Sequence, residues 1–142
     1  MVELTNDNVK RFALAGNCTI TLKSGDTGIH YTYNIKQYNK NKNIYFVHVL
    51  RGPDNTEDYT YMACYYIDTD TFVPAKPWKE RPWRSWPPSL RAIRFFFMNI
   101  DDIPKKLHVY HEGRCGRCGK KLTTPESIIN GLGPECMRLL EK

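Results

Sequence analysis

Three cysteines near the C-terminus have the type and spacing of metal ligands. Cys115 and Cys118 form a Cys-x2-Cys pair, and Cys136 follows after 17 intervening residues. Gly116 and Gly119 allow the tight turn that places both thiolates of such a pair on one side of the backbone. Cys136 falls in the first turn of a predicted terminal helix, where the helix dipole favours the thiolate. The pattern predicts one structural Zn²⁺ ion.

A structural zinc ion takes four ligands, so the three sulfurs need a further donor. His111, four residues before Cys115, is the first candidate, and His108 is the second. Both lie in a strand-like stretch, and side chains alternate along a strand, so the two rings cannot both face the ion. Three alternatives stay open: ordinary buried thiols, a disulfide between Cys115 and Cys118, and a surface or core role for His111.

The positive charge of the chain is concentrated in two blocks. The formal net charge is +6. Residues 76–94 contain six basic groups and one acidic group, and residues 105–142 contain eight basic and four acidic groups. Such blocks favour an anionic partner, although a run of charge is more often a solvated face.

A proline-rich segment over residues 74–88 combines tryptophans with cations. Exposed rings between cations can stack on unpaired bases while the cations contact phosphate. Alternatively, the tryptophans fix the loop onto the core. The candidate residues for contact with nucleic acid or another partner, including those near the cysteines, are Lys76, Trp78, Lys79, Arg81, Trp83, Arg84, Trp86, Arg114, Arg117, Lys120 and Lys121.

The periodicity predicts an α+β fold. A short helix over residues 5–15 precedes an antiparallel meander of about five strands over 17–74, in which residues 44–50 form a central strand covered on both faces. One main helix over 89–100 packs on the sheet, and its three phenylalanines, residues 95–97, belong to the core. A shorter helix over 125–130 belongs to a zinc-knuckle or treble-clef-like module. We therefore divide the chain into a body, 1–104, and a zinc-binding module, 105–142, which is small enough to need a metal.

The composition indicates a cytoplasmic protein. No apolar run approaches the ~20 residues that span a bilayer, and the polar N-terminus does not resemble a signal peptide. Five cysteines, three of them in a metal pattern, favour a reducing compartment, so we expect no membrane partner and no disulfide framework. Cys18 and Cys64, in apolar surroundings, are assigned to the core.

Residues His111 to Cys136 resemble the C-terminal signature of an uncharacterised domain family found in phages, prophages and bacteria. The family pattern is H-E-G-x-C-G-x-C-G-(R/K)-x-L-T-x-P-x-S-I-x-x-G-(I/L)-G-P-x-C, and this sequence matches every motif position. Shorter stretches at 15–17, 52–55 and 88–92 also look like that family. The resemblance implies a zinc-knuckle-like end on a small β-rich body, often encoded by mobile elements, in which case the compartment is the host cytoplasm. It implies no activity.

The sequence favours binding over catalysis. Zinc deaminases need a His-x-Glu and Pro-Cys-x-x-Cys arrangement that this chain lacks, and we expect no enzymatic activity. The first functional hypothesis is a nucleic-acid-binding accessory module that contacts DNA or RNA. The alternative is an inhibitor that docks on a host defence protein, of anti-defence or anti-CRISPR type, since Trp and Arg are favoured interface anchors.

Overall fold

The regular structure of the described residues is one antiparallel sheet of seven strands, four α-helices and two short 3₁₀ helices, Trp78–Glu80 and Trp83–Ser85. The computed structural model describes residues 1–53 and 57–140, so the stretch 52–55 noted above lies partly outside it. The strands are β1 (Val2–Glu3), β2 (Asn17–Ser24), β3 (His30–Gln37), β4 (Ile44–Leu50), β5 (Tyr59–Tyr66), β6 (Thr71–Pro74) and β7 (Leu107–His111), in the sheet order β1-β7-β2-β3-β4-β5-β6. The helices are α1 (Asn6–Ala13), α2 (Pro88–Met98), α3 (Pro125–Asn130) and α4 (Pro134–Leu140). The predicted α+β class is confirmed.

The meander predicted over residues 17–74 corresponds to β2–β6, which pair in chain order as antiparallel neighbours. Strand β7 is the element that local pattern did not place. This strand comes late in the chain but lies between β1 and β2 in the sheet, where Tyr110 is opposite both Glu3 and Thr21. The sheet and the C-terminal module therefore share β7, and the predicted boundary after residue 104 separates this strand from the sheet it belongs to.

Helices α1 and α2 contribute to a single core on one face of the sheet. Side chains alternate along β2, β3 and β4, so every second residue there reaches that core, whereas on β5 the consecutive residues Met62 and Ala63 both reach it at a register shift. Two buried tyrosines tie the layers together: the Tyr33 hydroxyl donates to the Ser89 carbonyl at 2.6 Å, and the Tyr45 hydroxyl donates to the Leu14 carbonyl at 2.8 Å. The core residues are Leu4, Val9, Phe12, Ala13, Cys18, Ile20, Leu22, Tyr33, Ile35, Tyr45, Val47, Val49, Met62, Ala63, Tyr65, Trp86, Leu90, Ile93, Phe96, Phe97, Ile100 and Val109.

Strand β4 is central, but the prediction that it is covered on both faces is wrong. Tyr45, Val47 and Val49 are buried, whereas the residues between them are only partly buried. Aromatic and aliphatic side chains on the second face made the sequence look continuously apolar and obscured the alternation. A similar correction applies to the phenylalanine triplet, because Phe95 is 47% exposed on the outer side of α2. Successive residues on a helix point about 100° apart, so three in a row cannot all face one core.

Candidate metal centre

The Cys115–Cys118 pair lies at the tip of a tight turn. The Gly119 N–H donates to the Cys115 carbonyl at 2.9 Å, and the Cys115 N–H donates to the Lys120 carbonyl at 2.8 Å. Gly119 has φ +78°, a left-handed conformation that glycine adopts without steric cost. The chain then returns antiparallel to itself, with Arg114 bridged to Lys121. The turn therefore directs two thiols to the same side.

Two short helices bring the third cysteine to this turn. Helix α3 begins where the Thr124 hydroxyl accepts a hydrogen bond from the Ser127 N–H, and it ends at Gly131, which has φ +76°. Both are standard helix-end devices, and they agree with the prediction over 125–130. Helix α4 then starts at Pro134 and places Cys136 in its first turn. The Gly133 N–H donates to the Cys115 sulfur at 3.4 Å, so the helix start contacts the turn directly.

The sulfur atoms of Cys115, Cys118 and Cys136 all lie within 4.8 Å of one another. Cys115 and Cys136 are buried and Cys118 is exposed; all five cysteines are free thiols, so the disulfide alternative is not adopted. Burial raises the pKa of Cys115, but N–H donors from Cys118, Gly133 and Arg117 outweigh burial and lower it to about 7. Burial raises the pKa of Cys136 to about 11. Three close thiols, one readily ionised, can hold a metal ion.

His111, the predicted fourth ligand, lies outside this cluster. It is 1% exposed, and both ring nitrogens contact the backbone: Nε2 is 2.6 Å from the Ile128 carbonyl, and Nδ1 is 3.0 Å from the Gly113 nitrogen. A carbonyl only accepts and an N–H only donates, so Nε2 carries the proton and Nδ1 accepts. Burial lowers the pKa of His111, which favours this neutral form. The ring links β7 to α3.

His108, the second candidate, also lies away from the cysteines. Its Nδ1 is 2.8 Å from a carboxylate oxygen of Glu3 on the neighbouring strand β1. The described residues thus bring three of the predicted ligands together. A groove of about 420 Å³ lies beside the sulfurs, and Glu135 is the only acidic residue among the described residues that line it. Glu135 forms an ion pair with Arg138 one turn further along α4.

Close backbone contacts seat the module on α1. A Cβ atom added to Gly116 would lie 2.7 Å from the Phe12 ring, and one added to Gly131 would lie 2.5 Å from it. The Phe12 ring also packs against His111, with centroids 5.5 Å apart. The Asn17 N–H, at the start of β2, donates to the Gly116 carbonyl at 2.8 Å. The cysteine turn is therefore packed against the sheet and α1.

The cations around the cysteines divide into two groups. The Arg117 guanidinium points back to the Cys136 sulfur at 3.8 Å, where a positive charge stabilises a thiolate. The exposed Arg114 donates to the Gly119 carbonyl at 3.3 Å. Lys120 and Lys121 are exposed at the rim of the groove. Arg117 thus contacts the cysteine cluster, whereas the two lysines are accessible to a partner.

The three tryptophans of the proline-rich segment have different surroundings. Trp86 is 9% exposed, and its indole N–H lies within hydrogen-bonding distance of the carbonyls of Trp78 and Arg81, at 3.0 and 3.2 Å. Trp78 packs against the core with the Arg81 guanidinium over its ring. Trp83 is 50% exposed, beside Arg94. Trp86 and Trp78 thus fix the loop, and Trp83 keeps an accessible ring.

The remaining cations of this segment, Lys76, Lys79, Arg81 and Arg84, are exposed. Lys76 lies 3.7 Å from Glu80, one turn away. The segment contacts β6 and leads into α2, whereas the cysteine module packs on α1 and β7. The tryptophan-containing loop and the cysteine module are therefore attached to different parts of the sheet.

Sequence reasoning missed an apolar groove of about 460 Å³ beside α2. Ile29, Trp83 and Phe95 line it and are about half exposed, and Arg91 and Lys106 supply charge. The available signal was Phe95, which lies off the apolar stripe of α2, together with Ile29 beside a turn.

One protein-family model matches the C-terminal part of the chain. Residues 105–140 match DUF6011, described as a family of unknown function. The match covers β7 and the cysteine module, and does not extend to the upstream stretches that also look like the family proposed above. No curated protein and no solved structure gives a significant match to the chain. Among the described helices, none has the length and apolar character needed to cross a membrane.

Proposed function

We propose that this chain is a small nucleic-acid-binding accessory protein whose C-terminal module is stabilised by one structural Zn²⁺ ion. The observation that carries the metal proposal is the cluster of three sulfur atoms within 4.8 Å. Thiolate ligands select soft or borderline ions such as zinc. The apolar centre around them is small, with Ala15, Cys115, Leu122, Leu132 and Cys136 buried, so a metal ion would contribute much of the stability of the module.

The coordination that we propose has three protein sulfurs and a fourth position that opens on the groove. A water molecule or the Glu135 carboxylate, which lines that groove, would supply the fourth ligand. Zinc with three protein ligands and water also occurs in enzymes. Cysteine-rich ligand sets are typical of structural zinc, whereas catalytic zinc sites are mostly built on histidine and carboxylate ligands, and this supports a structural role and no catalysis.

Metal analysis of the purified protein tests the first part. We expect about one zinc per chain, lost in Cys136→Ser, with increased protease cleavage after residue 111. Cys64→Ala is the matched control, because Cys64 is also a buried cysteine but lies on β5 away from the cluster. A metal-free chain with a protease-resistant C-terminus would contradict the proposal.

Nucleic acid is the favoured partner because exposed cations continue from the module onto the sheet. Gly16 lies beside the start of β2, and a Cβ atom added to it would be 3.7 Å from the Arg117 side chain. The Gly16 carbonyl accepts a hydrogen bond from the Gln37 N–H at the end of β3. Lys36 stands opposite Asn17 in the same corner. The basic module and the basic β3–β4 connection thus lie at one end of the sheet, where a phosphate backbone can contact both.

Fluorescence anisotropy with labelled DNA and RNA at two salt concentrations tests the second part. We expect binding that weakens steeply with salt, because bound cations release counterions from phosphate. Lys120→Gln with Lys121→Gln should weaken binding and flatten the salt dependence. Absence of binding to every probe at low salt would refute the nucleic-acid proposal.

One observation favours a second candidate function, the inhibition of a host protein complex by a phage-encoded chain. The groove beside α2 has three half-exposed apolar side chains at its rim, Ile29, Trp83 and Phe95, and such patches mark protein contacts. A pull-down that captures one host nuclease complex, and that fails with Trp83→Ala and Phe95→Ser, would support this alternative. The chain should then show no binding to nucleic acid.

A further inference from the structure

The face of the sheet opposite α1 and α2 carries a row of aromatic rings. Phe46 packs against Tyr38 at 5.3 Å and against Tyr61 at 6.1 Å between ring centroids, and His48 lies 5.5 Å from Tyr61. These contacts run from the β3–β4 connection across β4 to β5. We call these four residues the aromatic row.

The rings of the aromatic row remain accessible although they touch one another. Tyr61 is 43% exposed, and Tyr38, Phe46 and His48 are partly exposed. They are absent from the core cluster that joins the sheet to the helices. Adjacent rings meet edge to face, at interplanar angles of 63–70°.

Lysines flank the aromatic row at the β3–β4 connection, where the exposed Asp68 is an acidic neighbour because it follows Ile67, whose N–H donates to the Asn43 carbonyl. Residues 27–53 contain four cations and no Asp or Glu. Lys36 stands opposite Phe46 in the register of β3 and β4, and Lys40 and Lys42 are exposed in the connection that follows Tyr38. Across the face, Glu112 lies near Tyr59, at the other end of β5. The end of the face that holds Tyr38 and the lysines is therefore the part suited to an anion.

We propose that this face binds single-stranded nucleic acid, with bases stacked on Tyr38, Phe46 and Tyr61 and phosphates held by Lys36, Lys40 and Lys42. The inference rests on the proposed function and names its ligand class and surface. Aromatic rings beside cations bind single strands without sequence preference, because every base has a π-face. A duplex keeps its bases stacked inside and cannot offer them to a sheet. Among the tryptophans that were expected to stack, only Trp83 keeps a half-exposed ring.

The polar surroundings of the rings argue against a peptide as the occupant. An acidic peptide would also meet the lysines, but it would need pockets for side-chain anchors. The neighbouring positions on this face are polar: Asn34 stands opposite His48, and Thr32 shares a hydrogen bond with Thr21. Flat rings separated by polar side chains fit bases better than aliphatic anchors.

Substitution of one ring tests the surface directly. Anisotropy with labelled single-stranded dT20 and U20 should detect about 5- to 150-fold weaker binding for Tyr61→Leu, the range for loss of one stacked base. Tyr110→Leu is the matched control, because Tyr110 is on the same face of the sheet four strands away, beside Glu3. A duplex of equal length should bind more weakly than either single strand.

Substitution of lysines outside the strands gives a second test, which does not alter any residue of the sheet. Lys40→Gln with Lys42→Gln, both in an exposed connection, should lower the slope of log affinity against log salt by about 1.4 for a single strand. Lys105→Gln, an exposed lysine outside the surface, should change neither slope nor affinity by more than about twofold.

The outcomes separate the inference from the proposed function. If the wild-type chain binds no probe, the proposed function fails and this surface fails with it. If single strands bind but neither Tyr61→Leu nor the lysine pair changes affinity, while Trp83→Ala or the Lys120 and Lys121 substitutions do, then nucleic acid binds elsewhere and the inference is wrong. Equal affinity for duplex and single strand would also overturn the stacking.

Discussion

Replacement of His111 by alanine should destabilise the fold without removing the metal. The ring is 1% exposed and bridges the Ile128 carbonyl and the Gly113 N–H at 2.6 and 3.0 Å. Each buried backbone group left without a partner costs about 1–3 kcal/mol. The ring also packs on Phe12 at 5.5 Å, and this contact is lost. Some relaxation reduces the sum, so we expect His111→Ala to lower the free energy of unfolding by about 3–5 kcal/mol.

Urea unfolding followed by tryptophan fluorescence, with metal analysis of the folded fraction, measures both quantities. His111→Phe is the matched variant, because it keeps a ring of similar size but cannot pair either backbone group. It should therefore recover the packing part of the loss but not the hydrogen-bonding part. Zinc content should stay at about one per chain in both variants. Loss of zinc with little change in the free energy of unfolding would refute this reasoning and make His111 a ligand.

Three further predictions concern packing and pH. Gly116→Ala should destabilise the chain by about 1–3 kcal/mol, because the new Cβ would lie 2.7 Å from an α1 ring and 2.9 Å from an α1 backbone carbonyl. Gly133→Ala, whose Cβ would have no atom within 4 Å, should change the free energy of unfolding, measured in urea, by no more than about 0.5 kcal/mol. Trp86→Phe should cost about 1–3 kcal/mol through its lost indole hydrogen bonds, whereas Trp83→Ala should cost less than about 1 kcal/mol by thermal unfolding. Burial lowers the pKa of His111 from 6.5, so the histidine of the unfolded chain takes up a proton first as pH falls. The stability that neutral His111 contributes is therefore complete above about pH 6.5 and is lost below it. Urea midpoints measured from pH 7.5 to 5 should fall more steeply for wild type than for His111→Phe.

The cysteine cluster was predictable because its signals are local. The Cys-x2-Cys spacing with Gly119 defines one turn, and Thr124 with Pro125 and Pro134 marks two helix starts. Nothing local distinguishes His111 from His108. Their difference follows from the insertion of β7 between β1 and β2, which faces one ring to the core and the other to Glu3. That pairing joins residues about 100 positions apart, so no short pattern contains it.

The aromatic row escaped sequence analysis for a different reason. Residues 1–75 are close to neutral as a whole, because acidic groups outside 27–53 offset the four cations within that range. The apolar look of residues 44–50 also concealed that Phe46 and His48 alternate with core residues. The tryptophans were candidates for stacking because of composition alone, and composition does not distinguish a buried ring such as Trp86 from an exposed one.

The contacts between module and sheet predict how metal removal should act on ligand binding. The Gly116 carbonyl accepts a hydrogen bond from the Asn17 N–H. Asn17 lies opposite Lys36, at the end of the face that carries the aromatic row. Loss of the ion should release the cysteine turn and Arg117 from this corner, but leave the rings on β4 and β5 in place. Chelation should therefore reduce affinity for single strands and lower the salt slope, since phosphate contacts are lost. The effect of Tyr61→Leu, measured as a ratio of affinities, should persist in the metal-free protein. A ratio that falls to one after chelation would place the bases on the module instead of the sheet.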